Sequence, residues 1–420
     1  MSEHELIQDL KTIVSFNSVS VKGDNEAPFG TGVKDALKAT LDICEKYGFE
    51  TEMCGNYCGY AQIGKGDKLI GILTHLDVVP PGKGWNTDPF DLSESEGKLF
   101  GRGVIDDKGP TIAAIHAVKE LLEGNGEPNK RIRLLFGCSE ENGNWEDIEY
   151  YKSNYEHPDY GFTPDADFPV VYGEMGIAHV LLRTNLKQSG VLEITGGNAP
   201  NMVPDYVECK IIKNGKVTKV SAKGKSAHGS MPYLGDNAIG NLMEKLDCPL
   251  AGEYNKYIGK TTDGSLLGCN FSDEESGALT LNPGVIKTDG TDIEIILDIR
   301  CPVTYSKEEL TDAISSKLSD SIFDVKLISW EPPVYNDKDG ELVSALMKAY
   351  KEVSGGDDLP ITMGGGTYAR ALKNIVAFGP VFPGRECTEH QANEYIIKSD
   401  LLLAKDIYKR ALENLLKIEI

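Results

Sequence analysis

Residues 68–75, Lys-Leu-Ile-Gly-Ile-Leu-Thr-His, decide the fold class. The run is short, apolar and mostly β-favouring, and it ends in polar residues, the pattern of a strand buried on both faces. Downstream, Gly109-Pro110 opens a helical pattern, with proline near the first position and Ile112, Ile115, Val118 and Leu122 on one face. Gly124 and Gly126 stop it, and residues 131–137 form a second strand pattern that ends in Ser139-Glu140-Glu141. Strand, helix and strand, with a helix of about 10–15 residues between, predict a parallel α/β sheet. Ligands of such sheets bind beyond the carboxyl ends of the strands, so His75 and Glu140/Glu141 stand where chemistry is expected.

Upstream, residues 5–48 predict helices, with Val33, Ala36, Leu37, Leu41 and Cys44 at helical spacing and Gly48 as the stop. Near residue 182 the texture changes. Residues 191–223 alternate in the β manner, a helical stretch covers 237–246, and Ile293, Ile295, Leu297 and Ile299 alternate with Glu294, Ile296, Asp298 and Arg300. From about Glu331 it changes again, with helices at 342–353 and 399–416 and a glycine-rich turn at 364–366. The expected organisation is therefore a mainly parallel α/β domain, in segments 1–181 and 333–420, split around an inserted α+β domain, 182–332.

Composition narrows the function. The 420 residues carry 43 Lys plus Arg against 65 Asp plus Glu, a formal net charge of −22. Nucleic-acid and anionic-membrane binders need clustered basic residues, so neither partner is expected. With 40% hydrophobic residues the chain can bury a core. No stretch approaches about 18 continuous apolar residues, so no membrane-spanning helix is expected. The acidic start, Met-Ser-Glu-His-Glu-Leu, lacks the apolar centre of a signal or transit peptide. Nine scattered cysteines suggest reduced thiols and a cytoplasmic location, and the close pair Cys54 and Cys58 has no second pair at zinc-ribbon spacing.

Of seven histidines, His116 lies near an apolar helix face and suits a structural role, while His4, His157 and His179 have no carboxylate constellation. His75 differs, because in His75-Leu76-Asp77 the imidazole and carboxylate leave an extended backbone on the same side. In 101–110, Gly-Arg-Gly-Val-Ile-Asp-Asp-Lys-Gly-Pro, two adjacent acids precede a helix, and simple helix capping by Asp106 or Asp107 is the competing explanation. Glu140-Glu141, Thr163-Pro164-Asp165 and Thr388-Glu389-His390 complete a set of His and acids next to turns or strand ends. Two His and several carboxylates suit two borderline-soft divalent ions bridged by one carboxylate. Water activation also needs a carboxylate that takes a proton instead of binding metal, and adjacent Glu140 and Glu141 offer that division.

These residues carry a resemblance. The chain resembles the metallopeptidase family of aminoacylases, acetylornithine deacetylase, succinyl-diaminopimelate desuccinylase and bacterial glutamate carboxypeptidases, most of all its PepV-type dipeptidase branch. The shared stretches are residues 75–80, 85–90, 101–110, 224–228 with Pro232, 279–284, 363–370, 382–384 and 390–394, in the family's order. The resemblance implies a catalytic domain of phosphorylase/hydrolase type with an inserted lid. It implies that His75, Asp106, Glu141, Asp165 and His390 bind two divalent ions, zinc foremost with manganese or cobalt as alternatives, and that Asp106 bridges them. Glu140 would be the general base, Asp77 would orient His75, and His228 would stabilise the transition state. Asn201, Arg300, Gly365, Gly366 and Thr367 would bind substrate, Arg300 as a clamp on a carboxylate. A cis peptide between Asp106 and Asp107 is also implied. Cys138-Ser139, where relatives often carry Thr-Asp, and an extra Asn144 before Trp145 depart from the pattern.

The expected activity is hydrolysis of dipeptides with free termini, β-alanyl and Xaa-His dipeptides included, by a monomer or a homodimer. Deacylation of N-acyl amino acids or carboxypeptidase action on the same scaffold is the nearest alternative. A non-catalytic, metal-dependent peptide-binding module is a distant one, since binding alone needs neither Glu140 nor His228. Phosphoester hydrolysis lacks an obvious phosphate-binding Gly-Lys loop.

Overall fold

A computed structural model describes residues 3–143 and 145–419; Met1, Ser2, Asn144 and Ile420 lie outside the described residues, so the departure at Asn144 has no structural account. The chain divides into two units. The first comprises 1–172, 336–361 and 367–420, and the second comprises 173–335 and 362–366.

At the centre of the first unit, strand Leu69–His75 lies between Arg131–Gly137 and Tyr160–Thr163, parallel to both. Ile375–Ala377 adds a fourth parallel strand. The margins are antiparallel: the hairpin Glu50–Cys54/Cys58–Ile63 on one side and the strand entering at Val171 on the other. All seven residues of 69–75 are buried, as their unbroken apolar run predicts. Helix Lys108–Asn125 packs against Lys398–Leu415, which also packs against Glu341–Ser354. Gly126, at φ +72°, ends the first of these, a conformation that L side chains rarely adopt. The helical region predicted over 5–48 is two helices, Glu3–Val14 and Thr31–Lys46, separated by an irregular stretch. His116 is buried in helix Lys108–Asn125, with Nε2 2.9 Å from Asp9 Oδ2 on the first helix. It ties two helices together and takes no part in the His and acid set.

The second unit is a seven-stranded, wholly antiparallel sheet. Its order is Lys216–Lys223, Tyr206–Lys213, Glu193–Gly196, Thr280–Asp289, Asp292–Cys301, Gly176–Asn185, Asp324–Glu331. Helices Ala238–Met243, Pro249–Tyr257 and Lys307–Lys317 accompany it. Asn237 caps the first, its Oδ1 accepting from the Ile239 amide at 2.9 Å. Ser306 and Glu309 cap the third reciprocally. Strand Asp292–Cys301 departs from the expected half-exposed alternation. Asp298 and Arg300, on the polar side of the pattern, are buried because they pair with each other.

Tyr254 is fully buried in this unit, and its hydroxyl has no hydrogen-bond partner among the described residues. Replacing it with phenylalanine removes that penalty at constant shape. Tyr254→Phe is expected to leave thermal stability unchanged or raise it by about 1 kcal/mol. A clear fall in the unfolding midpoint would show that the hydroxyl is satisfied. No described helix is long and apolar enough to cross a membrane.

Candidate metal centre

Strand register assembles the first half of the site. His75 ends the central strand directly opposite Gly137 of its neighbour, and Thr163 ends the strand on the other side. Three and four residues past Gly137 the chain reaches Glu140 and Glu141 on one flank, and two past Thr163 it reaches Asp165 on the other. The turn after Gly137 is braced from below. Asp147 accepts from the backbone amides of Cys138 and Ser139, at 2.5 and 2.9 Å, and from the Tyr368 hydroxyl at 2.5 Å. Tyr368 passes so close that a Cβ on Gly137 would lie 2.3 Å from its hydroxyl, so only glycine fits there.

Asp77 does more than face His75. Its two carboxylate oxygens accept from the amides of Glu140 and Glu141, both at 3.1 Å. His75 Nδ1 lies 3.0 Å from the Asp77 backbone carbonyl and 3.5 Å from its Oδ1. A carbonyl only accepts, so Nδ1 carries a proton and Nε2 is the nitrogen turned toward the acids. Nε2 lies 2.9 Å from Asp106 Oδ1 and 3.7 Å from Asp165 Oδ2. The other oxygen, Asp106 Oδ2, lies 3.0 Å from His390 Nε2, which is also 3.0 Å from Glu141 Oε2. Two three-donor groups result, His75–Asp106–Asp165 and Asp106–Glu141–His390, each with its ligand atoms within 4.8 Å of one another. They share Asp106, one oxygen to each.

The Asp106–Asp107 peptide is cis. Asp107 occupies the N-cap position of helix Lys108–Asn125 but makes no capping bond; its Oδ2 accepts from the His75 amide at 3.2 Å. The preceding loop is held by the buried carboxylate of Glu394, which accepts from the amides of Gly103 and Ile105, at 3.0 and 3.1 Å, and from Arg102 Nη1 at 2.6 Å. Glu394 belongs to the loop that carries His390, a residue held at φ +62°. That left-handed conformation is uncommon for a non-glycine residue, so the surrounding bonds must maintain it.

Burial and crowding set the protonation of the cluster. Burial opposes ionisation of Asp106, yet the imidazoles of His390 and His75 hold its carboxyl far below the usual range. Burial and the Asp106 charge push Asp165 up to about 6 and Glu141 up to about 7. Glu140 is pushed well above its ordinary value, by burial first and then by Asp165, Glu141 and Asp106 against the pull of His75. Burial favours a neutral His390, but Asp106 and Glu141 outweigh it and raise the ring to about 11. Such a cluster holds protons in place of positive charge.

The other residues singled out in the sequence belong to other segments of the chain. His228, Asn201, Arg300, Gly365 and Gly366 belong to the second unit, and Thr367 begins a segment of the first, where its Oγ1 caps the turn Tyr368–Arg370. Asn201 and His228 come together, with the Gly229 amide donating to the Asn201 carbonyl at 2.7 Å. Arg300 is only 4% exposed, which excludes a solvated strand residue. Its Nε and Nη2 donate to Asp298, at 2.7 and 2.8 Å, and its Nη1 to the Gly364 carbonyl at 2.7 Å. His179 does have a carboxylate beside it: Asp298, its cross-strand partner, with Oδ2 3.6 Å from Nε2. Sequence reasoning missed the braces Asp147, Tyr368, Asn282 and Glu394. Asn282 donates to the carbonyls of Pro200 and Met202, at 3.0 and 2.9 Å, and so pins the loop bearing Asn201. Glu394 had a signal of its own, as an acid four residues after His390, whereas Asn282 and Tyr368 stood out only as members of the stretches 279–284 and 363–370.

The profile of "Peptidase family M20/M25/M40" matches residues 71–414, most of the chain. The chain belongs to this peptidase family. It is thus a peptidase, a hydrolase of peptide bonds. It is 35% identical to the Bacillus subtilis (strain 168) protein named "Putative dipeptidase YtjP", over 99% of this chain and 98% of that one. Among solved structures, human carnosine dipeptidase 1 superposes with a TM-score of 0.66 at 17% identity, covering 99% of this chain and 97% of the other. Bacillus subtilis YXEP, described as a dinuclear metal binding peptidase, gives a TM-score of 0.58 at 13% identity, covering 99% and 98%. At these identities the two structures speak for the fold of this M20 peptidase.

Proposed function

We propose that this M20 peptidase is a metal-dependent dipeptidase. The observation that carries the reading is the pair of three-donor groups sharing Asp106. The dipeptidase name of a relative aligned over nearly the whole chain supports the substrate class.

The donor set fits two divalent cations. It is made of imidazole nitrogens and carboxylate oxygens, it is short of positive charge, and His75 presents Nε2 in the orientation a ligand needs. His75 and Asp165 would hold one ion, His390 and Glu141 the other, and Asp106 both. Zinc suits these donors best, with manganese and cobalt as alternatives. When bound, such ions polarise a scissile carbonyl and acidify water. Glu140, not needed as a ligand and fixed through its backbone by Asp77, takes the proton of the attacking water and returns it to the leaving amine. His228 donates to the carbonyl oxygen as charge develops there, and Asn201 assists in binding. Arg300, Gly365, Gly366 and Thr367 receive the substrate's carboxylate end. Because Asp298 holds Nε and Nη2 and the Gly364 carbonyl holds one hydrogen of Nη1, the substrate would meet the second hydrogens of Nη1 and Nη2.

A panel of dipeptides with free termini, β-alanyl and Xaa-His members included, tests the reading on protein stripped by chelation and reloaded with zinc, manganese or cobalt. Activity is expected to vanish on stripping, return with metal, and require the free amine. Faster cleavage of N-acetyl-alanine than of an alanyl dipeptide would make the protein a deacylase. Binding without turnover in the loaded protein would make it a peptide-binding module.

A further inference from the structure

The surroundings of His228 point to a residue that positions it. We infer that Ser230 holds the His228 ring in the tautomer that carries its proton on Nε2, which makes that nitrogen a hydrogen-bond donor. The inference rests on the proposed role of His228 and deepens it.

Two contacts carry it. The backbone amide of Ser230 donates to His228 Nδ1 at 3.3 Å, and the Ser230 hydroxyl lies 2.7 Å from the same nitrogen. An amide N–H can only donate, so Nδ1 must present its lone pair. Facing a lone pair, the hydroxyl is a donor as well. A neutral imidazole with an acceptor at Nδ1 has its proton on Nε2. The opposite tautomer, or an imidazolium, would set an N–H at Nδ1 against the Ser230 amide, which can only donate, although the hydroxyl could turn to accept from it.

The turn that brings these groups together is built from behind. The Met231 amide donates to the His228 carbonyl at 3.0 Å, closing the turn. Gly364 runs so close that a Cβ there would lie 2.9 Å from Ser230 Cβ. Its carbonyl accepts from Arg300 Nη1, and Arg300 is gripped by Asp298. The buried Asp298–Arg300 pair thus anchors the backbone on which Ser230 rests, and Ser230 sets the ring. The tautomer matters chemically: Nε2–H attracts an oxygen that gains negative charge, whereas a lone pair at Nε2 would repel it.

Long-range ¹H–¹⁵N correlation of the imidazoles in ¹⁵N-labelled, zinc-loaded protein reads the tautomer directly, with His228→Gln identifying the signals. Wild-type protein is expected to show Nδ1 unprotonated and Nε2 protonated. Ser230→Ala keeps the amide contact and loses only the closer hydroxyl donor, so it should shift part of the population to the other tautomer and lower kcat about tenfold while changing KM less than about twofold, and Ser230→Thr should restore both. Protonation at Nδ1 in the wild type, or an unchanged tautomer in Ser230→Ala, overturns the inference. A changed tautomer with undiminished kcat overturns the donor role of Nε2. Wild-type turnover by His228→Gln would sink the role proposed for His228, yet the spectra of wild type and Ser230→Ala would still decide what Ser230 does.

Discussion

Glu140→Gln is expected to lower kcat by about 10²–10⁴-fold while metal content and unfolding temperature stay at wild-type values. The amide keeps the size and shape of the side chain, and its backbone N–H remains on Asp77 Oδ1. What is lost is a group able to take a proton from water and give it to the leaving amine. Glu140 is placed for that exchange because it adjoins Glu141, whose Oε2 faces His390, while its own carboxylate belongs to neither three-donor group. Glu141→Gln is the contrasting variant, since weaker metal retention should precede its loss of activity. Near-wild-type hydrolysis by Glu140→Gln at equal metal content would remove the base assignment.

The second large effect is expected at a residue that belongs to neither three-donor group. Glu394→Ala should destabilise the protein by about 3–5 kcal/mol, because it leaves the Arg102 guanidinium buried without its carboxylate. It also frees the amides of Gly103 and Ile105, which lead directly into Asp106, and loosens the loop that carries His390. Metal affinity should therefore fall about 10–100-fold, the usual cost of losing a residue that orients ligands. Glu394→Gln retains an oxygen for the amides and should lie between alanine and wild type. Denaturant unfolding and metal titration measure the two effects separately. Wild-type stability in Glu394→Ala would mean that Arg102 finds other partners, as its Nε and Nη2 have none among the described residues.

Much of this arrangement is legible in the residues alone. The apolar run at 69–75, the helix opening at Lys108 and the strand ending at Gly137 appear close to where local pattern places them. His75, Glu140, Glu141 and Asp165 stand out because they follow strand ends, where a parallel sheet exposes its ligands. The roles of the braces are less visible. Asp107 looks like a helix cap and instead accepts from the His75 amide. Asp298 and Arg300 look like the wet side of an alternating strand and are instead a buried pair. His179 looks solitary because its neighbour Asp298 belongs to a strand distant in the chain.

The division has a physical origin. Secondary structure follows from side-chain periodicity and from glycine and proline at element ends, and both act over a few residues. The sequence by itself therefore determined a parallel α/β sheet and the residue types at its strand ends. Donor geometry depends on register between segments that meet only after folding. Tertiary structure alone decided that Asp106 turns one oxygen to His75 and the other to His390, that the Asp77 carbonyl selects the nitrogen His75 presents, and that Ser230 faces His228 Nδ1.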